Sequence, residues 1–220
     1  MIIYFVRHAS AGQKKLNPKK DEKRGLDSEG VYQCTQMGRI LATMDAGVEA
    51  VITSPLKRAT QTAALVANEI GFEGKLSIEN ALRPEAKYEN FRDMLRKFSK
   101  FEAVMVVGHN PNFSEFLGHM IADNGSRSHT EMKKAAVAKI ESEQKKFVLH
   151  WMLTPRLAKA CVEAVKGENS GKDVPVSQNG SGTELEIPDE YLGKKKGKKD
   201  KKQPQAEALT IKSRPKTSRK

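Results

Sequence analysis

The chain has 220 residues, of which 38% are hydrophobic and 6% aromatic, and its formal net charge is +12. This length and apolar content predict one folded domain with some chain left outside its core. The basic balance favours binding to nucleic acid or to a membrane surface, unless the charge is confined to a tail. No stretch reaches the roughly 20 apolar residues of a membrane span. The apolar start, MIIYFV, is too short for a signal peptide, so we expect a soluble, cytoplasmic protein.

Short apolar runs alternate with longer stretches of helical period. IIYFV, AVIT and AVMVVG predict buried strands, and the stretches at 29–44, 55–71 and 84–98 predict helices. Two later runs, AAVAKIE and FVLHWML, predict strands that complete the sheet, with one of them a candidate for antiparallel pairing. This pattern is typical of an α/β protein with three layers, α/β/α, around a mostly parallel mixed sheet.

The composition of the sequence changes at about Gly167, where the apolar periodicity ends and Gly, Ser, Pro and Lys become frequent. Such a composition buries too little apolar surface to offset the entropy lost on ordering. We therefore assign residues 1–166 to the folded domain and expect 167–220 to be a low-complexity, disordered basic tail. The run at 194–202 contains seven lysines and one aspartate. Weak polyanion binding and a purely solubilising role are both open for this tail.

Cationic side chains follow three of the predicted strands. Arg7 and His8 come directly after IIYFV, Arg58 follows AVIT, and His109 follows AVMVVG. Ligands of open α/β sheets bind at the carboxyl ends of the strands, so we expect these side chains to share one crevice. Arginine forks and helix N-termini bind phosphate oxygens, and a neutral histidine is a nucleophile that can accept a phosphoryl group. The sequence predicts a phosphate pocket built around a histidine.

Polar residues near two of these strand ends also predict how the next helices begin. Ser54 and Asn110 are candidates for N-caps, and each is followed by a proline suited to a first helical turn. We expect both side chains to cap helices rather than to contact a substrate.

Four segments resemble the motifs of the histidine phosphatase (phosphoglycerate mutase-like) superfamily. They are VRHA at 6–9, similar to the nucleophile motif, RGLDSEG at 24–30, similar to the R-x-L-(S/T)-x-x-G loop, TSPLKRATQTA at 53–63 and VVGHNPNF at 106–113, similar to the second arginine and second histidine segments. The resemblance covers roughly residues 1–160. LHWMLTPRLAK at 149–159 resembles the end of the core in the SixA-like phosphohistidine phosphatase branch, and Ala9, where the wider superfamily has glycine, also favours that branch.

The resemblance implies a phosphoglycerate mutase-like fold and a phosphatase that uses no cofactor and no metal. It makes His8 the nucleophile that becomes phosphohistidine, with Arg7, Arg58 and His109 around the phosphoryl oxygens. Arg24 belongs to the family-like loop at the mouth of the crevice, where a substrate-binding role and a surface role are both open.

Superfamily members that act on alcohol esters also use a carboxylic acid to protonate the leaving oxygen. Glu85 and Glu89 are the candidates here, and Glu85 is also interpreted as a helix-start carboxylate that the helix dipole favours. A positioned acid contributes about 10²–10⁴ in rate when the leaving group is an alkoxide. Imidazole is a far better leaving group, so a weakly placed acid favours phosphohistidine as the substrate.

We therefore expect the substrate to be a phosphohistidine-bearing protein, such as a phosphotransfer domain. Two alternatives stay open: a phosphatase of the same superfamily that acts on small phosphomonoesters, and a non-catalytic phosphate-binding module with a polyanion-binding tail. The complete set of arginines and histidines argues against the second alternative, because a decayed site is expected to have lost a member.

Overall fold

The computed structural model describes residues 1–122, 128–144 and 146–168, the last five with their backbone alone. The predicted tail at 167–220 lies outside the described residues, apart from its first two positions, which continue the last helix. Within the described part of the chain, no helix is long and apolar enough to cross a bilayer.

The elements follow one another as strands alternating with helices. In chain order they are β1 (Ile2–Arg7), α1 (Pro18–Glu22), α2 (Ser28–Thr43), β2 (Ala50–Thr53), α3 (Lys57–Glu69), β3 (Ser77–Ile78), a 3₁₀ turn (Asn80–Leu82), α4 (Tyr88–Lys97), β4 (Ala103–Gly108), α5 (Asn112–Ile121), β5 (Val137–Glu143), β6 (Lys146–Leu153) and α6 (Pro155–Glu168). The six strands form one sheet in the order β3-β2-β4-β1-β5-β6.

The sheet is mostly parallel, as the alternation of strands and helices predicts. β3, β2, β4 and β1 pair in parallel, β5 is antiparallel to β1, and β6 is antiparallel to β5. Among the described strands, β5 therefore runs against the other five. This confirms the prediction of a mixed sheet, including the antiparallel partner expected near its end.

Successive side chains of β1 point to opposite faces of the sheet and join two separate cores. Tyr4 and Val6 pack in one core with residues of α2, α3 and α6. Ile3 and Phe5 pack in the other core with residues of α4 and α5, where the Phe5 ring lies 5.5 Å from that of Phe91 and 5.4 Å from that of Phe113. Burying a side chain of this size stabilises the fold by about 1.5–3 kcal/mol. The three layers predicted from the sequence are confirmed.

The register of the parallel strands brings three strand ends to the same level. Arg7 pairs with Gly108, and Thr53 pairs with Val107. Backbone hydrogen bonds continue past the strands, from His8 N to the Gly108 oxygen at 2.9 Å and from Ser54 N to the Val107 oxygen at 3.0 Å. The residues that follow β1, β2 and β4 therefore share one edge of the sheet.

Candidate active site

Two buried histidines lie against each other at this edge. His8 follows β1 and His109 follows β4, and they are 8% and 2% exposed. Their ring centroids are 4.9 Å apart, with the planes inclined at 54°. The structure therefore brings together the two histidines that the sequence predicts for one crevice.

The hydrogen bond of His8 fixes which of its nitrogens can react. Nδ1 lies 2.8 Å from the backbone oxygen of Ala9. A carbonyl oxygen only accepts hydrogen bonds, so Nδ1 carries the proton and donates it. In the neutral ring Nε2 is then left with a free lone pair, which is the requirement for nucleophilic attack.

Burial keeps both histidine rings neutral. The pKa of His8 is lowered to about 3, mainly by burial and to a smaller extent by the positive charges of Arg58 and Arg7, while the hydrogen bond to Ala9 opposes the shift. The pKa of His109 falls to about 2, again mainly through burial and then through His8 and the same arginines. Arg24 contributes to both shifts. The site thus holds uncharged imidazole among cationic guanidinium groups.

These two rings should make the free energy of unfolding depend on pH. In the unfolded chain the histidines take up protons below about pH 6.5, whereas in the folded protein His8 stays neutral down to about pH 3. The stabilising contribution of the two neutral rings is therefore fully present above about pH 6.5. Below that pH the free energy of unfolding falls by up to about 1.4 kcal/mol per pH unit for each ring. Denaturant titrations at pH 7 and pH 5 should show this loss, and the double variant H8A/H109A should lose less. An equal loss in the variant would contradict the assignment.

Arg7 and Arg58 each leave a buried nitrogen without a partner. Arg7 Nη1 donates to the Met132 oxygen at 2.7 Å, and Arg58 Nη1 donates to the backbone oxygen of Asp21 at 3.1 Å. The Nε atoms of both arginines, and Nδ1 of His109, are buried with no hydrogen-bond partner among the described residues. Unsatisfied buried donors cost free energy, and an oxyanion in the pocket would satisfy them.

Asp21 links two of the arginines and was missed by the sequence analysis. Its Oδ1 accepts from Arg24 Nε at 2.8 Å and from Lys15 N at 2.9 Å, while its Oδ2 accepts from Arg58 Nη1 at 3.3 Å. The hydrogen bond from Arg24 is the largest cause that lowers the pKa of Asp21 to about 2. The spacing D-x-x-R, which places both side chains on one face of a helical turn, was the available signal.

Arg24 is held at the mouth of the crevice rather than in open solvent. Besides its ion pair with Asp21, its Nη1 donates to the Gly12 oxygen at 2.9 Å. The guanidinium therefore braces the loop after β1 and adds positive potential to the two histidines. Contact with a substrate stays a prediction for this residue.

The loop that follows His8 is fastened to the start of α2. Ser10 N donates to Gln33 Oε1 at 3.0 Å, and Ser10 Oγ donates to Asp27 Oδ2 at 3.0 Å. Asp27 also caps α2 by accepting from Gly30 N at 2.8 Å. A Cβ on Gly30 would lie 1.9 Å from the Ser10 oxygen, so only glycine permits this approach.

We expect Gly30→Ala to force the loop away from α2. The overlap is with backbone, which cannot rotate aside, so the free energy of unfolding should fall by at least about 1–3 kcal/mol. Gly12→Ala is the matched control, because a Cβ at Gly12 meets nothing within 4 Å. Urea denaturation of both variants measures the difference. Equal stabilities would show that the loop yields without cost.

The predicted helix caps are wrong at both positions. α3 begins at Lys57, three residues after Ser54, because Leu56 is extended and occupies the N-cap position. The Ser54 hydroxyl instead lies 2.9 Å from His109 Nε2. α5 is preceded by Pro111 as its N-cap residue, and the Asn110 amide donates to the Met132 oxygen at 3.0 Å. Neither side chain therefore caps a helix: Ser54 contacts His109, and Asn110 contacts the backbone of Met132.

The helix-start interpretation of Glu85 is also wrong. α4 begins at Tyr88, beyond the reach of a dipole effect on Glu85, and its first turn contains Glu89 instead. The Glu85 side chain is 67% exposed and lies 3.5 Å from Arg83 Nη1. A role as general acid stays a prediction for Glu85.

Comparison with known proteins finds a matching family model for the first part of the chain and solved structures with the same fold. A family model described as histidine phosphatase superfamily (branch 1) matches residues 3–96. An uncharacterised protein of Picosynechococcus sp. is 28% identical over 153 residues, covering 68% of this chain and 90% of that protein. The protein histidine phosphatase SixA complexed with tungstate has TM-score 0.64 and 19% identity, over 71% of this chain and 98% of SixA. The α-ribazole phosphatase of Shigella flexneri has TM-score 0.56 and 15% identity, over 70% and 97%. These structural likenesses show the shared phosphoglycerate mutase-like fold.

Proposed function

We infer that this chain belongs to the histidine phosphatase superfamily, whose family model matches residues 3–96. We propose that it is a SixA-like phosphatase that removes the phosphoryl group from phosphohistidine in proteins, through a phosphorylated His8. The single observation that carries the proposal is the state of His8. Its Nδ1 is bound to the Ala9 oxygen at 2.8 Å, and burial and neighbouring arginines hold its pKa at about 3. Nε2 is then an unprotonated nucleophile over the whole physiological pH range.

In the first step, the lone pair of His8 Nε2 attacks phosphorus and a new N–P bond forms. The N–P bond of the substrate breaks, and its electron pair stays on the departing ring nitrogen. The other nitrogen of that ring takes a proton from solvent beforehand, so the ring leaves as neutral imidazole with a conjugate-acid pKa of about 6.5. Arg7, Arg58 and His109 provide donors for the equatorial oxygens of the transferring group.

In the second step, water attacks the phosphorus of phospho-His8. The N–P bond breaks, its electron pair returns to Nε2, and inorganic phosphate is released. The attacking water becomes a hydroxyl group of that phosphate, and its other proton passes to a second phosphate oxygen or to solvent. Histidine is suited to both steps because neutral imidazole is a good nucleophile and, once protonated, a good leaving group. The hydrogen bond from Nδ1 to the Ala9 oxygen holds the ring in one orientation throughout.

The acidic residues near the pocket support a nitrogen leaving group. Asp21, the carboxylate in contact with Arg58, has its pKa lowered to about 2 and cannot deliver a proton near pH 7. Glu85 is mostly exposed and is paired with Arg83. An alkoxide needs a positioned acid worth about 10²–10⁴ in rate, whereas a protonated phosphohistidine ring needs none.

A substrate panel tests the proposal. The full chain would be incubated, with a chelator present, with a phosphotransfer protein phosphorylated on histidine, with an aryl phosphate and with a sugar phosphate, and phosphate release would be followed. We expect kcat/KM for phosphohistidine to exceed that for the sugar phosphate at least about 100-fold, which is the lower bound of the rate that a positioned acid contributes. Preferred turnover of the sugar phosphate would favour the small-ester alternative, and turnover of nothing would favour the non-catalytic one.

A further inference from the structure

A strongly cationic segment borders the pocket. Residues 12–24, GQKKLNPKKDEKR, contain six basic and two acidic side chains, for a net charge of +4 in a chain of net +12. We call residues 12–24 the lysine segment. A basic patch is often only a solvated surface, so its position and its partners decide what it can do.

The lysine segment is fixed to the pocket by its two acidic residues. Asp21 contacts Arg58 at 3.3 Å and Arg24 at 2.8 Å. Glu22 contacts Arg83 at 2.8 Å, which ties the other side of α1 to the chain after the 3₁₀ turn. Because arginines occupy both carboxylates, neither is left to neutralise the lysines.

The lysines of this segment are exposed and have no acidic partner. They are Lys14, Lys15, Lys19, Lys20 and Lys23, and none of their ammonium groups forms an ion pair with a described residue. Other surface lysines do pair, as Lys97 does with Glu79 at 3.5 Å and Lys159 with Glu163 at 3.7 Å. Leu16 is fully exposed in the middle of the segment.

We propose that the lysine segment docks the acidic face of a protein that carries the phosphohistidine, and so selects protein substrates over small ones. This inference rests on the proposed function. The lysine side chains are exposed, whereas His8, Arg58 and His109 are buried. A substrate that contacts both sets must extend from the pocket to the surface, which a macromolecule does and free phosphohistidine does not. An exposed leucine between lysines matches a protein surface better than a nucleic acid backbone. Complementary charges of this kind raise association rates by about 10–10³ at low salt.

Two substitutions test the proposal, with two others as a matched control. The variant K19Q/K20Q removes charge from the lysine segment. The variant K75Q/K100Q removes the same charge from two exposed lysines that precede β3 and β4, at the amino ends of these strands and away from the edge that holds the histidines. The full chain is used throughout, so the tail contributes equally. Each protein is assayed on free phosphohistidine and on an acidic phosphotransfer protein phosphorylated on histidine.

At 50 mM salt we expect the first variant to lose about 5- to 20-fold in kcat/KM on the phosphoprotein, with free phosphohistidine turnover within about twofold of wild type. The loss should shrink at 200 mM salt, and the control variant should behave as wild type on both substrates. An equal loss in the control, or no loss in the first variant, would overturn the docking surface. The docking surface would also be overturned if the first variant bound DNA less tightly than wild type but turned over the phosphoprotein at the wild-type rate. If the wild-type chain hydrolyses neither substrate, the proposed function fails instead.

Discussion

Replacing His8 with alanine should reduce turnover by at least about 10⁴-fold, in the range seen when hydrolases lose a nucleophile. The reason is that Nε2 of His8 is the atom that forms the covalent bond. We expect that His109 does not take its place, because its Nε2 is engaged with Ser54 at 2.9 Å. Single-turnover phosphate release from a phosphohistidine-bearing protein measures the effect.

Two further measurements separate lost chemistry from a lost fold. H8A should keep the circular dichroism spectrum of the wild type and should still bind tungstate, since Arg7 and Arg58 are unchanged. After rapid mixing with labelled substrate and alkaline quench, wild-type enzyme should carry acid-labile phosphate and the variant none. A variant that folds, binds tungstate and still turns over above about a hundredth of the wild-type rate would remove His8 from the nucleophile role.

The part of the site predicted from the sequence is the part that strand ends determine. His8 and His109 each follow a buried apolar run directly, and parallel strands bring their carboxyl ends to one edge of a sheet. The strand register then sets the relative height of the two histidines: Arg7 pairs with Gly108, so His8 and His109, which follow them, lie at the same level. A strand pattern therefore predicts both that these residues meet and where they meet.

The parts that were missed depend on contacts that leave no pattern in the sequence. α1 buries none of its five residues, so it has no apolar period to detect. β3 has two residues, too few for an alternation to be seen. Asp21 gains its role only because α1 is folded back against Arg58, which lies 37 positions further along the chain. Pairing at such a separation is a tertiary property.

The caps failed for a related reason. A serine or asparagine before a proline satisfies the local rule for a helix start, and both Ser54 and Asn110 satisfy it. In the folded chain each side chain has a competing partner, His109 for Ser54 and the Met132 oxygen for Asn110. Where a local preference gives way in this manner, the residues involved lie beside the proposed chemistry, as expected of functional sites.

Arg58→Ala should lower kcat/KM about 10²–10³-fold, or roughly 2.7–4 kcal/mol, the cost of losing one preorganised donor to the reacting oxygens. Arg58 is the second residue of α3 and is 5% exposed, so its position is fixed by the helix. Its buried Nε has no partner among the described residues and is available to the phosphoryl group. Its removal also leaves Asp21 without one of its two arginines, adding an unbalanced negative charge beside the pocket.

Two variants show whether charge or geometry carries this effect. Arg58→Lys keeps the positive charge but not the planar fork, so it should recover part of the loss and no more. Arg39→Ala is the control, because Arg39 lies on the outside of α2, is 74% exposed and pairs with Glu69 at 3.3 Å. Surface pairs of this kind are weak, so this variant should keep kcat/KM within about twofold of wild type. Tungstate should inhibit R39A most strongly, R58K less strongly and R58A least. Wild-type kcat/KM and tungstate inhibition in R58A would place Arg58 outside the phosphoryl pocket and leave it as the anchor of Asp21.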